Sequence, residues 1–179
     1  MKIFDSRKKR LAAKIVSYGM KKSFYTMNIL YDTHLPLNDT VSVVLTDEYK
    51  IPHSLYMEKG LYALYKEKIC LYVGQSNSSI QDRLYRFAKE LLGRSRDDEG
   101  HPAAKKARID GFITADDTLL VKHVSWNEID LFMPNEYVDM SDIDEYVAYW
   151  TKSKYNKNVG LEYFRPKFST ESSLFDCQR

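Results

Sequence analysis

The stretch GLYALYKEKICLYVGQS, residues 60–76, decides how the rest of the chain is read. Two short apolar runs, 61–65 and 69–73, flank the charged triplet Lys66-Glu67-Lys68. Runs of this length around a polar turn read as a β-hairpin. With the triplet as the turn, residue 65 pairs with 69, 63 with 71 and 62 with 72. Tyr62 then faces Tyr72 directly across the strands. Side chains alternate along a strand, so both rings leave one face. Directly opposed Cβ atoms lie about 4.5–5.5 Å apart. Leu61, Ala63, Ile69, Leu71 and Val73 are expected on the other face, in the core. A one-residue slip would separate the tyrosines.

Outward from the hairpin, Ser79 is a helix N-cap and Asp82 sits at the box position three residues on. The helix is predicted over 80–92, with Ile80, Leu84, Phe87 and Leu91 as its apolar stripe and Gly93 as its end. On a 100°-per-residue wheel Arg83 falls about 60° from that stripe, at the rim of the core, and Arg86 lies further round. A guanidinium so placed can hold a phosphate with two hydrogen bonds. Gly74 and Ser76 stand where strand becomes helix, and small residues there allow close backbone approach. A shorter helix is expected from Pro102, a strand over 117–126, and a last helix opened by Ser141 with Asp144 in the box position. Upstream, SRKKRLAAKIVSYG reads as a helix over 7–18, with Leu11, Ile15 and Tyr18 on one stripe. VSVVLT, 41–46, reads as a strand, and KIPHS as a loop.

The order of elements implies an α+β domain with a small, largely antiparallel sheet, plus an N-terminal helical and strand extension. The expected organisation is an extension over 1–55, a domain over 56–158 and a tail over 159–179 packed on it. The chain of 179 residues carries a net charge of only +2, too small to name a partner. Its distribution says more. Residues 1–22 hold eight Lys and Arg against one Asp, and residues 127–145 hold seven carboxylates and no Lys or Arg. A basic arm beside an acidic strip suits a nucleic-acid binder that also holds a cation, and equally two unrelated solvated surfaces. No run of 18 apolar residues predicts a membrane span. Charge interrupts the N-terminus, so no signal peptide is expected. Cys70 and Cys177 make no disulfide framework, and no CxxC or HxxxH pair reads as a zinc site. A reducing, cytoplasmic setting is the expectation.

Gly60-Leu61-Tyr62, then Tyr72-Val73-Gly74, then Ser76 and Arg83 on the following helix, together resemble the GIY-YIG nuclease superfamily over about residues 58–156. The resemblance implies a three-stranded sheet flanked by helices, and metal-dependent hydrolysis of DNA phosphodiesters, of the restriction or phage type, on double-stranded DNA with Mg2+ or Mn2+. A homodimer is allowed by it. Carried over residue by residue, Tyr62 would deprotonate or orient the attacking water. Tyr72 would hold phosphate and water, Arg83 would stabilise developing charge, and Glu145 would bind the metal. Asp142 and Asp144 compete with Glu145 for that last role. Ser76, Arg86, His101, Lys105, Lys106 and Asn156 would contact nucleic acid.

This chain departs from the family at identifiable places. Tyr72 to Arg83 is one residue longer than the commonest spacing. The family's Tyr or His four residues after the arginine is Phe87, which cannot carry a proton; Tyr85 or His101 could substitute. The terminal asparagine motif is matched either by Lys154-Tyr155-Asn156 or, without its Asn, by 165–169. Free tyrosine has a pKa near 10 and is a poor base at neutral pH unless a cation stabilises the phenolate. Two readings compete with the nuclease: a related domain that binds nucleic acid without cutting, and an interaction domain whose tyrosines only pack.

Overall fold

In a computed structural model, residues 5–20, 24–31, 41–95, 100–133 and 137–156 are described. The chain is α+β, and among these residues six strands form one antiparallel sheet in the order β3-β2-β1-β6-β4-β5. The strands are β1 (Tyr25–Tyr31), β2 (Val41–Thr46), β3 (Pro52–His53), β4 (Gly60–Lys66), β5 (Ile69–Ser76) and β6 (Leu119–Ser125). The helices are α1 (Ser6–Lys14), α2 (Ile80–Leu91), α3 (Pro102–Asp110), α4 (Trp126–Asp130) and α5 (Ile143–Thr151).

The sheet is thus twice the expected width. Tyr25-Thr26-Met27-Asn28-Ile29 alternates apolar and polar residues, a strand signal that the reading outward from the hairpin passed over, while its pairing to β2 and β6 is long-range. Pro52–His53, expected as loop, pairs with β2 at the sheet edge, where a proline costs no ladder bond. The β1–β6 pairing carries the ladder across the expected boundary at 55/56. The expected tail, 159–179, lies outside the described residues.

Both faces of the sheet are covered. Leu61, Ala63, Tyr65 and Val73 pack with α1, α4 and α5 on one side. Tyr62, Leu64, Leu71 and the α2 stripe of Ile80, Leu84, Phe87 and Leu91 pack with α3 on the other. Ala103, Ala104 and Ala107 are the buried positions of α3, small enough to let it close on α2.

The hairpin register differs from the expected one. Lys66 pairs with Ile69, so the turn has two residues, Glu67 and Lys68, with Glu67 at φ 53°. That shift alone would set Tyr72 opposite Ala63, on the face away from Tyr62. A bulge follows: Tyr65 pairs with Cys70 but Leu64 with Tyr72, leaving Leu71 as the extra residue. Bulges insert one unpaired residue and re-aim those beyond it. The two single shifts add to two and restore parity. Tyr62 therefore pairs with Gly74, not Tyr72, and the rings are diagonal neighbours on one face. Leu71 joins the Tyr62 side rather than the opposite core, and Ile69 is 37% exposed.

Helix ends also differ in detail. The Ser79 side chain accepts from the Asp82 N–H at 3.2 Å, but the Ser79 N–H donates to Ser76 Oγ at 3.0 Å, so the box is not reciprocal. Asp142, not Ser141, is the N-cap of α5, and Ser141 turns back to Asp139. The winding after α1 widens to a π-turn over Ile15–Gly19, which takes Tyr18 off the buried stripe to 69% exposure.

Candidate active site

Glycines shape the floor of the site. A Cβ at Gly74 would lie 2.6 Å from both Cζ and Oη of Tyr62 and 2.8 Å from Cε1 of Tyr72. The Tyr62 ring lies across the Gly74 backbone, and only the lack of a side chain there lets the two tyrosines share that space. Gly60 has φ +151°, and a Cβ on it would meet the Val124 carbonyl oxygen at 2.1 Å. Close contact of β4 with β6 thus requires the first glycine, as Tyr62 requires the second.

The two rings stand 6.1 Å apart, centroid to centroid. Tyr62 is 1% exposed, whereas Tyr72 reaches the surface of a cleft of about 260 Å³. Arg83 and Arg86 border it from α2, His101 from the start of α3, Asp144 and Glu145 from the first turn of α5, and Tyr155 and Asn156 from the segment after α5. Three separate lengths of chain thus bring Tyr72, Arg83, Arg86, His101, Glu145 and Asn156 to one place, with Tyr62 beneath. The amphipathic spacing of α2 explains the arginines: with Leu84 and Phe87 buried, positions 83 and 86 must lie toward the rim and solvent.

Not every expected residue borders this cleft. Ser76 is buried, and its Oγ accepts the Ser78 and Ser79 N–H groups at 3.3 and 3.0 Å, joining β5 to α2. Lys105 is on the exposed face of α3, and Lys106 borders a neighbouring cleft instead. Asn156 borders the cleft as a strut. Its Oδ1 accepts the Val73 N–H at 2.8 Å and its Nδ2 donates to the Val73 carbonyl at 2.7 Å. Beside it, the Lys154 and Tyr155 N–H groups donate to the carbonyls of Cys70 and Leu71 at 3.0 and 2.8 Å. Residues 154–156 therefore cover the open edge of β5, as a buried strand edge demands. The alternative match at 165–169 lies outside the described residues.

His101 caps α3, its Nδ1 accepting the Ala104 N–H at 3.4 Å. Its ring meets the edge of Tyr72 at 4.8 Å and of Phe87 at 5.3 Å. Of the two candidates to cover for Phe87, His101 borders the cleft. Tyr85 packs against the core, with the Lys89 ammonium 5.4 Å from its ring. Burial, then the Arg83 charge, lower the His101 pKa to about 4, so the imidazole is neutral at physiological pH. With Nδ1 an acceptor, the ring proton sits on Nε2.

Burial pushes the Tyr62 hydroxyl well above its ordinary range. The charges of Tyr72 and Asp144 add to this, and Arg83 opposes it. Burial and Asp144 raise Tyr72 in the same sense. Both phenols are therefore protonated donors in the protein by itself. Asp144 was only a competitor in the sequence, yet it is the carboxylate whose charge both phenols feel. Burial and the adjacent Glu145 push it up to about 6. Nothing in the helical pattern marks it, because Asp144 and Glu145 are neighbours in one acidic turn.

The oxygen donors suit a hard divalent cation. Mg2+ is commonly held by one or two carboxylates, with water and substrate phosphate completing its shell. Glu145, with Asp144 beside it, fits that mode. Among the described residues no group of three His, Cys, Asp or Glu converges, so these side chains do not form a closed cage.

Neither a protein-family model, nor a curated protein, nor a solved structure matches this chain.

Proposed function

We propose that the chain is a metal-dependent DNA endonuclease of the GIY-YIG type, hydrolysing phosphodiester bonds in double-stranded DNA. The observation that carries this reading is the shared lining of one cleft by Tyr72, Arg83, Arg86, His101 and Glu145. Three adjacent antiparallel strands, β6, β4 and β5, hold the tyrosine pair beneath it. Arg83 and Arg86 have no ion pair among the described residues, in contrast to Arg108, whose Nη2 lies 3.3 Å from Glu90 Oε1. Uncompensated guanidinium groups at a cleft suit a phosphodiester, whose charge grows in the transition state.

In this mechanism Arg83 and Arg86 neutralise the phosphate oxygens. The Nε2–H of His101 and the hydroxyl of Tyr72 donate hydrogen bonds to the bound phosphate or water. Tyr62, held beneath Tyr72, keeps that ring in place and exchanges its proton only if nearby positive charge lowers its pKa. Glu145, with Asp144, would hold Mg2+ or Mn2+, which supplies Lewis acidity and lowers the pKa of water.

A second reading is favoured by one observation: Tyr62 is 1% exposed and its hydroxyl is strongly biased to stay protonated. A domain that grips DNA without cutting it would look the same. Supercoiled plasmid incubated with the full chain and Mg2+ or Mn2+, with and without a chelator, separates the two. Cation-dependent nicking or linearisation is expected. Binding without any cut product would establish the second reading. Tyr72→Phe is expected to keep duplex binding and lose cleavage; cleavage at the wild-type rate would overturn the role given to Tyr72.

A further inference from the structure

A second cleft of about 260 Å³ opens beside the first, bordered by Lys106, Ile109 and Asp110 of α3 and by Lys154 and Tyr155. Tyr155 belongs to both linings, so the two clefts share a wall. Lys154 is rigidly based, since its N–H is held by the Cys70 carbonyl at 3.0 Å. Its ammonium lies 4.8 Å from the Phe112 ring centre and 5.5 Å from that of Tyr155.

The charges here are unequal in their pairing. Lys66, which shares the Phe112 ring, donates to the Phe112 carbonyl at 2.7 Å and to Asp117 at 3.2 Å. Neither Lys106 nor Lys154 has an ion pair among the described residues. The Tyr155 hydroxyl is buried and faces the Asp110 carboxylate across the same cleft. Burial, then a hydrogen bond to Asp110 and that carboxylate's charge, push its pKa up to about 12, so the phenol stays protonated. Asp110 is the one carboxylate in the lining, against two ammonium groups.

We propose that the second cleft holds the next phosphate along the same nucleic-acid strand, gripped by Lys106 and Lys154, with Tyr155 standing between the two phosphates. The ligand class is a continuous phosphodiester backbone rather than a single phosphate. This inference rests on the reading of the first cleft as a phosphate site, and it adds the direction in which the strand leaves that site: past Tyr155 and along α3.

The test is duplex binding by fluorescence anisotropy in chelator, over a salt series, with the full chain. The variants are the double change Lys106→Ala, Lys154→Ala; the double change Arg83→Ala, Arg86→Ala; and Lys50→Gln at the opposite sheet edge. Removing the two lysines is expected to weaken binding about tenfold at low salt and to reduce the slope of log K against log salt by about 1–2. Lys50→Gln is expected to bind as wild type. Wild-type affinity and slope in the lysine variant, while the arginine variant is impaired, would overturn this inference and leave the first-cleft reading intact. No duplex binding by wild type would overturn both.

Discussion

Helices α1 and α2 are both rich in cations and lie on opposite faces of one sheet, yet their charges have different fates. On α1, Lys8 is 7% exposed and ion-paired to Asp142, with Asp139 at 3.5 Å. The Lys9 ammonium lies 5.7 Å from the Trp150 ring centre, and Arg7 Nε is 3.6 Å from Asp5 Oδ1. The Asp5 N–H donates to the Tyr146 hydroxyl at 3.3 Å. This helix spends charge on holding α5, the helix that carries Asp144 and Glu145. On α2, Arg83 and Arg86 are exposed at the cleft without ion pairs among the described residues. The denser run of positive charge is thus in part structural, and the sparser one faces the site. Charge density in a sequence measures neither; the carboxylates brought opposite it do.

Arg83→Ala gives the sharpest test of that contrast. Loss of a fixed positive charge where the phosphate gains charge is expected to lower the cleavage rate by about 10²–10³-fold. Its melting temperature should stay close to wild type, since the side chain is exposed. A cleavage rate within a few-fold of wild type would place Arg83 with the structural cations of α1.

His101 makes the next test, through stability. Its pKa is about 4 in the folded chain against an ordinary value of 6.5. Between those values the unfolded chain binds more protons at this site, so the His101 contribution to stability rises with pH across that window and is flat above it, while Asp144, raised to about 6, contributes in the opposite sense below pH 6. The gain is at most about 3 kcal/mol. His101→Asn keeps a good N-cap residue and removes the titration. In urea denaturation from pH 4 to 7.5, wild type should gain stability relative to the variant as pH rises through the His101 window and hold that gain above it. An unchanged profile would mean that His101 is solvated rather than held between Tyr72 and Phe87.

The smallest effect is expected at Lys8. Lys8→Ala leaves the Asp142 and Asp139 carboxylates without their ammonium and should cost about 1–2 kcal/mol in urea denaturation. Duplex affinity and its salt slope should not change. A reduced salt slope at full stability would show that α1 contacts phosphate after all.

Much of the site was legible because its parts are local. The α2 stripe predicts where Arg83 and Arg86 point, and Ile80–Leu91 departs from the expected helix by one residue at its end. The hairpin's tyrosines were expected on one face, and they are, but by a different route. The two-residue turn and the bulge at Leu71 each reverse parity, and neither has a signature in KEKICL that separates it from a three-residue turn. His101 was open between phosphate contact and cover for Phe87, since no periodicity links a residue in one helix cap to a ring in another helix. Asn156 was expected to touch nucleic acid, but its amide is occupied by Val73.

By itself the sequence determined the things that depend on neighbours a few residues apart: the alternating hairpin strands, the amphipathic α2, and the two glycines beside the tyrosines. Tertiary structure alone decided what depends on distant partners. It joined β1 to β6, buried Lys8 against α5, closed residues 154–156 over the β5 edge and set Asp144 against the phenols. The reason is physical: helix and strand periodicity is encoded within one or two turns of chain, whereas register, ion pairing and desolvation are settled only when segments remote in sequence compete for the same surface.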